Sequence, residues 1–341
     1  GTLTLGNDAG DSITFTGGLV ATASSQKNLA GTVATTNAAM DLSGNSVVLT
    51  ANTTVSSGTG DLSLGGTVNG LYSLTVNSTG VTTFGSTVGN SAALTSLTTN
   101  GGGSTVLNGN VTTSGAQTYN DAVTMNTDTS FTAGAGSLVT FGSTVQGTGV
   151  ARILAVVTAN AQFGGNVSGL IASVSVGGTT AINGAAVTTT AAAGQSYAGA
   201  VTLGADTTLT AGGTGTISFG TAIDGAHALA LDAGGTITVS GAVGGTTPLT
   251  TLTITNSTGT TLSGNVSVGT LTLTNTTGTI TINGALVATV GMSAAANGFN
   301  LALNQGAGAQ TSTVAGATVL ANTGTLTLGN DAGDSITFTG G

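Results

Sequence analysis

The residues of this chain that could do chemistry are few, and the best placed of them are aspartates. Asp8 and Asp11 stand three positions apart in the glycine-containing sequence GNDAGDS, which occurs again with Asp331 and Asp334. Two carboxylates at this spacing in a turn can share a Ca²⁺ ion, so these four residues are the candidate metal ligands. The alternative is an Asx turn, in which each carboxylate accepts a hydrogen bond from nearby backbone. We favour the Asx turn, because the calcium-binding nonapeptide GGxGxD does not occur.

Catalytic groups have little support in the sequence. His227 is the single histidine and cysteine is absent, so the chain offers neither a zinc ligand set nor a histidine-activated nucleophile. We expect His227 to be a solvated corner residue. Asp128, Asp206, Asp224 and Asp232 stand singly on predicted turns, where they would keep the chain soluble. We predict no enzyme, no catalytic residue and no cofactor-binding residue.

The other residues that could contribute to a binding site are two cations and the aromatic residues. Lys27 and Arg152 are the only formal cations, and we interpret them as isolated surface charges, with docking points for an acidic neighbour as the alternative. The phenylalanines recur inside a repeated phrase, which favours core packing over a carbohydrate-stacking strip. Tyr72, Tyr119 and Tyr197 are assigned a structural role with the same alternative.

Composition predicts an ordered all-β chain. Charged residues are 4% and all acidic residues are Asp, whereas ordinary globular domains carry roughly a quarter charged residues. Thr, Val, Ser and Gly replace the strong helix formers, which excludes long helices. The net charge of −9 argues against nucleic acid as a partner. The longest apolar run, around Ile153 to Val157, is one strand long, so we predict no membrane insertion by this segment.

An exact repetition sets the domain organisation. Residues Gly1 to Gly18 return unchanged as Gly324 to Gly341, which gives a period of 323 residues. We therefore divide the chain into one complete unit, residues 1–323, and the start of the next identical unit, residues 324–341. The prediction is a tandem array in which copies of the unit follow one another end to end in one chain.

The 323-residue unit contains a shorter sequence repeat. A large apolar residue, two small residues rich in Gly and a Val or Ile recur in phrases such as LGGTV, FGSTV, LNGNV and FGGNV, most often 19 to 23 residues apart. Gaps of 34 and 37 residues are interpreted as two turns each, with a hidden anchor in AVTMNTDTSF and in AVTLGADTTL. The pattern predicts an all-β fold, a parallel β-helix or β-solenoid with about 20 residues per rung and about 16 rungs per 323-residue unit.

Alternation of side chains predicts how each rung is built. In TLTIT (Thr251 to Thr255) and TLTLT (Thr270 to Thr274) the apolar residues would face inward and the threonines outward. Gly and Asn would form the corners, because they tolerate left-handed backbone conformations. Rungs stacked at roughly 4.8 Å would make a rod about 77 Å long per unit. Its ends would expose unpaired backbone that invites another chain to continue the sheet.

Longer phrases carry a resemblance to a known family. GGGSTVLNGNVTTSGAQTYNDAV, AVTLGADTTLTAGG and AIDGAHALALDAGGTITVSGAVGG resemble the repeats of very large bacterial proteins of the filamentous haemagglutinin type, which are exported by two-partner secretion and are kin to autotransporter β-strand repeats. The resemblance covers nearly the whole chain. It implies a right-handed β-helix shaft, an extracellular or cell-surface location on a Gram-negative bacterium, and a role as surface adhesin or extracellular fibre.

Three functional hypotheses follow. The first is a non-catalytic shaft of a giant secreted or surface-attached adhesin, and the alternative is a self-assembling filament or sheath in which the repeat makes the contacts, including lateral ones. A minor alternative is ice binding, which would need outward Thr pairs stacked without interruption on every rung. Partners would be other copies of the repeat and a host-cell, neighbouring-cell or carbohydrate surface.

Overall fold

The fold is that of a parallel β-solenoid. The computed structural model describes residues 1–100 and 102–340. Among those residues there is no helix, and parallel strands stack in about 15 turns spaced about 22 residues apart. The chain divides into two compact units, Gly1–Ile171 and Ala172–Gly341. The predicted all-β parallel solenoid is confirmed, with turns slightly longer and fewer than the 20 residues and 16 rungs expected from the phrases.

The strands of the first unit are short, and most end at a corner. They are β1 (Thr2–Leu5), β2 (Ser12–Phe15), β3 (Leu19–Val20), β4 (Gln26–Thr35), β5 (Met40–Asp41), β6 (Val47–Gly58), β7 (Leu62–Leu64), β8 (Val68–Asn69), β9 (Ser73–Ser78), β10 (Val81–Phe84), β11 (Ser96–Asn100), β12 (Ser104–Leu107), β13 (Val111–Thr112), β14 (Gln117–Tyr119), β15 (Ala122–Met125), β16 (Thr129–Thr132), β17 (Leu138–Phe141), β18 (Val145–Gly147), β19 (Arg152–Val156) and β20 (Asn160–Phe163).

The second unit continues in the same manner, and its first strand begins at the last residue of the first unit. Its strands are β21 (Ile171–Val176), β22 (Thr180–Ile182), β23 (Ala186–Thr189), β24 (Gln195–Tyr197), β25 (Val201–Leu203), β26 (Thr207–Ala211), β27 (Ile217–Phe219), β28 (Ile223–Asp224), β29 (Ala228–Ala233), β30 (Thr236–Val239), β31 (Leu249–Ser257), β32 (Gly259–Leu262), β33 (Val266–Thr276), β34 (Thr279–Ile282), β35 (Leu286–Ala294), β36 (Asn300–Leu303), β37 (Thr311–Leu320), β38 (Leu326–Leu328) and β39 (Ser335–Gly340).

Within each unit a strand pairs with the strand one turn later, and the pairs form three faces. In the first unit, the first face contains β1, β2, β4, β6, β8, β9, β11, β14, β17 and β20. The second face contains β3, β5, β7, β10, β12, β15 and β18, and the third face contains β13, β16 and β19. In the second unit, one face contains β22, β25 and β28. Another contains β21, β24, β27, β30, β32, β34, β36 and β38, and the last contains β23, β26, β29, β31, β33, β35, β37 and β39.

The repeated phrases of successive turns pair with one another in register, but after each long gap the next phrase lies on a different face of the solenoid. Leu107 pairs with Met125, which is therefore the hidden anchor of the first long gap. The next anchor, Phe141, lies in β17, on a different face from Met125 in β15. The second long gap behaves in the same way, because Leu203 lies in β25 and Phe219 in β27. The hidden anchors are confirmed, but the step that follows each is less than a full turn. Counting one turn per phrase therefore gives too many turns.

Inward and outward positions follow the predicted alternation. Leu252 and Ile254 are buried, while Thr251 and Thr253, which alternate with them, are partly exposed. Burial of apolar side chains from every turn supplies the main stabilisation, at about 25 cal/mol per Å² of apolar surface removed from water.

Lys27 corrects the sequence interpretation. Its side chain is fully buried, because residue 27 takes an inward position of β4 in register with Leu3 and Val47. The Nζ atom donates to the backbone oxygen of Asn45 at 3.1 Å. Desolvation lowers the pKa of Lys27, and the nearby Asp41 carboxylate opposes this change. The prediction that Lys27 is a surface charge was wrong, since strand alternation determines its direction.

Candidate functional site

The first pair of candidate calcium ligands forms a local turn. Asp11 Oδ2 accepts the backbone N–H groups of Asn7 at 2.7 Å and of Asp8 at 3.3 Å. Asp8 Oδ1 accepts the N–H of Gly10 at 2.7 Å. This is the Asx-turn arrangement that the sequence analysis favoured, and the two carboxylates use their oxygens as backbone acceptors.

The second pair forms the same turn and also binds the preceding turn of the solenoid. Asp334 Oδ2 accepts the N–H groups of Asn330 at 2.7 Å and Asp331 at 3.0 Å. In addition, Asp334 Oδ1 accepts the N–H of Gln310 and Asp331 Oδ2 that of Gly308, both at 2.8 Å. The N–H groups of Asp331, Asn330 and Gln310 lower the pKa of Asp334 because they favour the charged carboxylate.

No larger ligand cluster accompanies either pair. In the described part of the chain no group of three or more His, Cys, Asp or Glu side chains comes together in a way that could hold a metal ion. Two carboxylates already engaged with backbone N–H groups are a poor set for Ca²⁺, which takes six to eight oxygens. The geometry of all four aspartates is therefore that of turn-forming residues.

The single histidine sits at a corner beside a carboxylate. His227 Nδ1 lies 3.4 Å from Asp206 Oδ1, and 37% of the His227 side chain is exposed. Asp206 Oδ1 accepts the N–H of Ala228 from the next turn at 2.9 Å. This backbone bond is the main cause that lowers the pKa of Asp206, and His227 adds to it. The pair therefore holds two turns together at the surface.

Other corner aspartates act in the same way. Asp128 Oδ1 accepts the N–H of Ile153 at 3.0 Å, and Asp224 Oδ1 that of Thr246 at 2.8 Å. Asparagines whose Oδ1 atoms bind backbone N–H groups of the next turn are Asn52, Asn69, Asn110, Asn265 and Asn300. Asp224 and Asp232 differ from their predictions, since Asp224 is the last residue of β28 and Asp232 lies within β29. The aspartates were predicted to keep the chain soluble and the asparagines to form corners, and the hydrogen bonds that both make between turns were not predicted.

A buried polar pair occurs twice in the core. Tyr119 donates its hydroxyl hydrogen bond to Gln117 Oε1 at 3.1 Å, and Tyr197 donates to Gln195 Oε1 at 2.9 Å. Each glutamine Nε2 donates to backbone carbonyls, for example Gln195 to Thr210 at 2.9 Å. Burial raises the pKa of both tyrosines. The repeated Gln-x-Tyr spacing, present in the sequence as QTY and QSY, is the signal that could have revealed the pair.

The aromatic residues are mostly core residues. The buried phenylalanines are Phe84, Phe131, Phe141, Phe163, Phe219 and Phe299. Phe141 stacks on Tyr119 and on Phe163, with ring centroids 5.5 and 5.6 Å apart. The core role predicted for these residues is confirmed. Tyr72 is different, because 39% of it is exposed.

A long file of outward hydroxyl groups runs along one face of each unit. In the first unit the file consists of Thr32, Thr54, Thr75, Thr98, Thr118 and Thr140. In the second it consists of Ser175, Ser196, Ser218, Thr238, Thr261 and Thr281. The next outward position along these strands, two residues after the file of the first unit, is occupied by Ala34, Ser56, Asn77 and Asn100. The stacked Thr pairs expected of an ice-binding surface are therefore not formed on that face.

A shallow groove lies on the surface of the first unit. It lies over β5, β7 and β10, has a volume of about 400 Å³ and contains the carboxylates of Asp41 and Asp61. Both carboxylates accept backbone N–H groups, Asp41 from Ser43 at 2.9 Å and Asp61 from Val81 at 2.8 Å. The acidic groups of this groove thus serve the backbone.

Known proteins provide no further guide to a site. Comparisons with protein-family models, with curated proteins and with solved structures found no match. Within the described ranges, no helix has the length and apolar character needed to cross a membrane.

Proposed function

We propose that this chain is a non-catalytic structural segment, the shaft of a large secreted or surface-attached bacterial fibre or adhesin built from tandem 323-residue repeats. The shaft provides length and stiffness, and binding to a host cell, a neighbouring cell or a carbohydrate takes place elsewhere on the fibre. The proposal follows the resemblance to filamentous haemagglutinin-type repeats, which also implies export to the surface of a Gram-negative cell.

One observation carries the proposal. The repeated eighteen-residue segment adopts one backbone turn in both places, although a different turn of the solenoid lies against it in each. Gly6 has a φ of 79° and its counterpart Gly329 a φ of 76°, and the N–H of residue Asn7 or Asn330 lies 2.7 Å from its aspartate oxygen in both copies. A segment whose conformation is independent of its neighbour is suited to join identical units.

The use of polar side chains supports the same role. Asp206 and Asp128 bind backbone of the next turn, and Gln195 with Tyr197 satisfies core carbonyls. These groups stabilise the stack of turns, as a structural solenoid requires.

The test is cryo-electron tomography of the producing cells, with an antibody raised against this chain. We expect the antibody to label thin surface fibres at regular intervals, once per repeat, and antibody absorbed with the purified chain to label nothing. Label confined to the cell interior would contradict the proposal.

A further inference from the structure

A buried carboxylate lies inside the corner between the first and second faces of the first unit. Asp121 stands between β14 and β15, and only 2% of it is exposed. Its Oδ1 atom accepts the backbone N–H of Gly103 at 3.0 Å, and its Oδ2 atom accepts the Thr105 hydroxyl at 3.4 Å. The second contact is long for a hydrogen bond between two oxygens. The Asp121 carboxylate therefore has one ordinary hydrogen bond and one weak one.

No cation of the chain is paired with this carboxylate. Lys27 and Arg152 are the only formal cations, and both donate to backbone oxygens elsewhere in the unit. Within the residues that the structure describes, the one ion pair joins His227 to Asp206. A buried charge is costly unless it is paired or coordinates a metal ion. The Asp121 carboxylate lacks the partner that such a charge requires.

Two further polar groups of this corner lack partners. The hydroxyl oxygens of Thr82 and Thr99 are fully buried, and in the described part of the chain neither makes a hydrogen bond. Buried hydroxyl groups are normally hydrogen bonded to protein or to a bound ligand, so each exception needs an explanation.

Strand register places these hydroxyl groups around Asp121. Thr99 pairs with Tyr119, two residues before Asp121. Thr105 pairs with the residue two positions after Asp121. Asp121 therefore lies over the gap between Thr99 and Thr105. Thr82 pairs with Thr105 from the turn before, so three inward hydroxyl groups and one carboxylate face the interior of the same corner.

We propose that this corner is a binding site for a small monovalent cation, with sodium as the probe. Asp121 neutralises the charge of the cation, and the hydroxyl oxygens of Thr82, Thr99 and Thr105 are its neutral ligands. A single carboxylate matches a single positive charge. Ca²⁺ takes six to eight oxygens, including those of several carboxylates, and fits this set poorly. Because the ligands come from three successive turns, the cation is enclosed as the turns stack, and its binding is part of folding.

Cation binding makes stability depend on sodium. A ligand that binds only the folded chain raises the free energy of unfolding with the logarithm of its concentration. Once sodium exceeds its dissociation constant, the unfolding equilibrium constant should fall about tenfold for each tenfold rise in sodium. Urea unfolding of the full-length chain measures this dependence, with choline chloride replacing sodium chloride at constant ionic strength.

The carboxylate is tested with a matched pair of variants. Asp121→Asn keeps the shape of the side chain and removes its charge, so it should abolish the dependence on sodium. Asp61→Asn removes the same charge from an exposed carboxylate at the same corner, where β7 lies three turns before β15. Asp61 uses Oδ1 to accept the N–H of Val81 at 2.8 Å. The sodium dependence of Asp61→Asn should equal that of the wild type.

The hydroxyl groups are tested with Thr82→Val and Thr99→Val, which replace each hydroxyl by a methyl group of similar size. Removal of a buried hydroxyl that has no partner stabilises a protein, because the unsatisfied group is costly. Removal of a cation ligand has the opposite effect. We therefore expect both variants to be less stable than the wild type in sodium chloride and more stable than it in choline chloride.

Several results would overturn the cation site. These are unfolding of the wild type that is independent of sodium, equal sodium dependence in Asp121→Asn and Asp61→Asn, and valine variants that are more stable than the wild type in both salts. Valine variants that are less stable in both salts, without any sodium dependence, would identify water as the occupant. The inference goes beyond the proposed shaft and is independent of it, since labelled fibres on cells would neither support nor contradict a cation in the corner.

Discussion

Tyr197 and Gln195, two residues apart on the inner side of β24, hydrogen bond to each other in a core from which both are fully shielded. The glutamine connects this pair to the backbone, because its Nε2 donates hydrogen bonds to the carbonyl oxygens of Val187 and Thr210 at 2.9 Å each. The same arrangement at Tyr119 and Gln117 makes it a recurrent device of the fold. A buried polar network that is fully satisfied specifies one register of packing.

Removing the glutamine should weaken the solenoid. Gln195→Leu leaves the Tyr197 hydroxyl without its acceptor and removes the hydrogen bonds from Nε2 to the carbonyls of Val187 and Thr210, which should lower the free energy of unfolding by about 1–3 kcal/mol. Tyr197→Phe should have a smaller effect, about 1 kcal/mol, because it removes one hydrogen bond. Urea unfolding of both variants measures this, with exposed Ser196→Ala as the control. Equal stabilities for Gln195→Leu and Ser196→Ala would contradict the network.

The aromatic stack should be a second point of sensitivity. Phe141→Ala opens a cavity between Tyr119 and Phe163, and we expect a loss of about 3–5 kcal/mol in the free energy of unfolding. Phe141→Leu should cost less, because it keeps most of the volume. Thermal unfolding compares them with Leu138→Ala, which changes a partly exposed residue of the same strand. A loss at Leu138 as large as at Phe141 would rule out the stack as the cause.

Acid should weaken the bonds between turns at aspartate corners. The N–H of Ala228 lowers the pKa of Asp206 below its ordinary 3.8, so the carboxylate contributes stability at higher pH that is lost as pH falls through the lowered pKa. Asp206→Asn keeps an acceptor oxygen but does not titrate, so its unfolding midpoint should fall less between pH 5 and about pH 2. Asp232→Asn, a change of the same charge within β29, is the control. Parallel pH profiles for the wild type and Asp206→Asn would refute the assignment.

Lys27 should respond in the opposite pH range. Burial lowers its pKa below 10.5, so the unfolded chain binds more protons and stability should rise as the pH approaches 10.5. Lys27→Met removes the buried charge and should raise the free energy of unfolding at pH 7 by about 1 kcal/mol. Its advantage over the wild type should shrink at high pH. Chemical unfolding at pH 7 and pH 10 checks both, and a destabilised Lys27→Met at pH 7 would contradict the burial argument.

Local chemistry in the sequence determined the class of the fold. Alternation of apolar and polar residues predicted that Leu252 and Ile254 face inward, because the direction of a strand side chain depends only on its place in a two-residue period. The repeated phrase of a large apolar residue, two small residues and a Val predicted where strands meet at corners, and a hidden anchor within AVTMNTDTSF and within AVTLGADTTL, because corner conformation is a property of a few adjacent residues.

Only the tertiary structure decided which of these local pieces meet. The change of face between Met125 and Phe141 and the bond from Ala228 to Asp206 both depend on how many residues each turn contains. The number of residues in a turn depends on the lengths of all its strands and corners. One additional residue in a turn therefore changes the pairing partners of the residues in every later turn. Side-chain alternation is repeated within each strand and can be read locally, whereas contacts between turns arise from the accumulated path of the backbone.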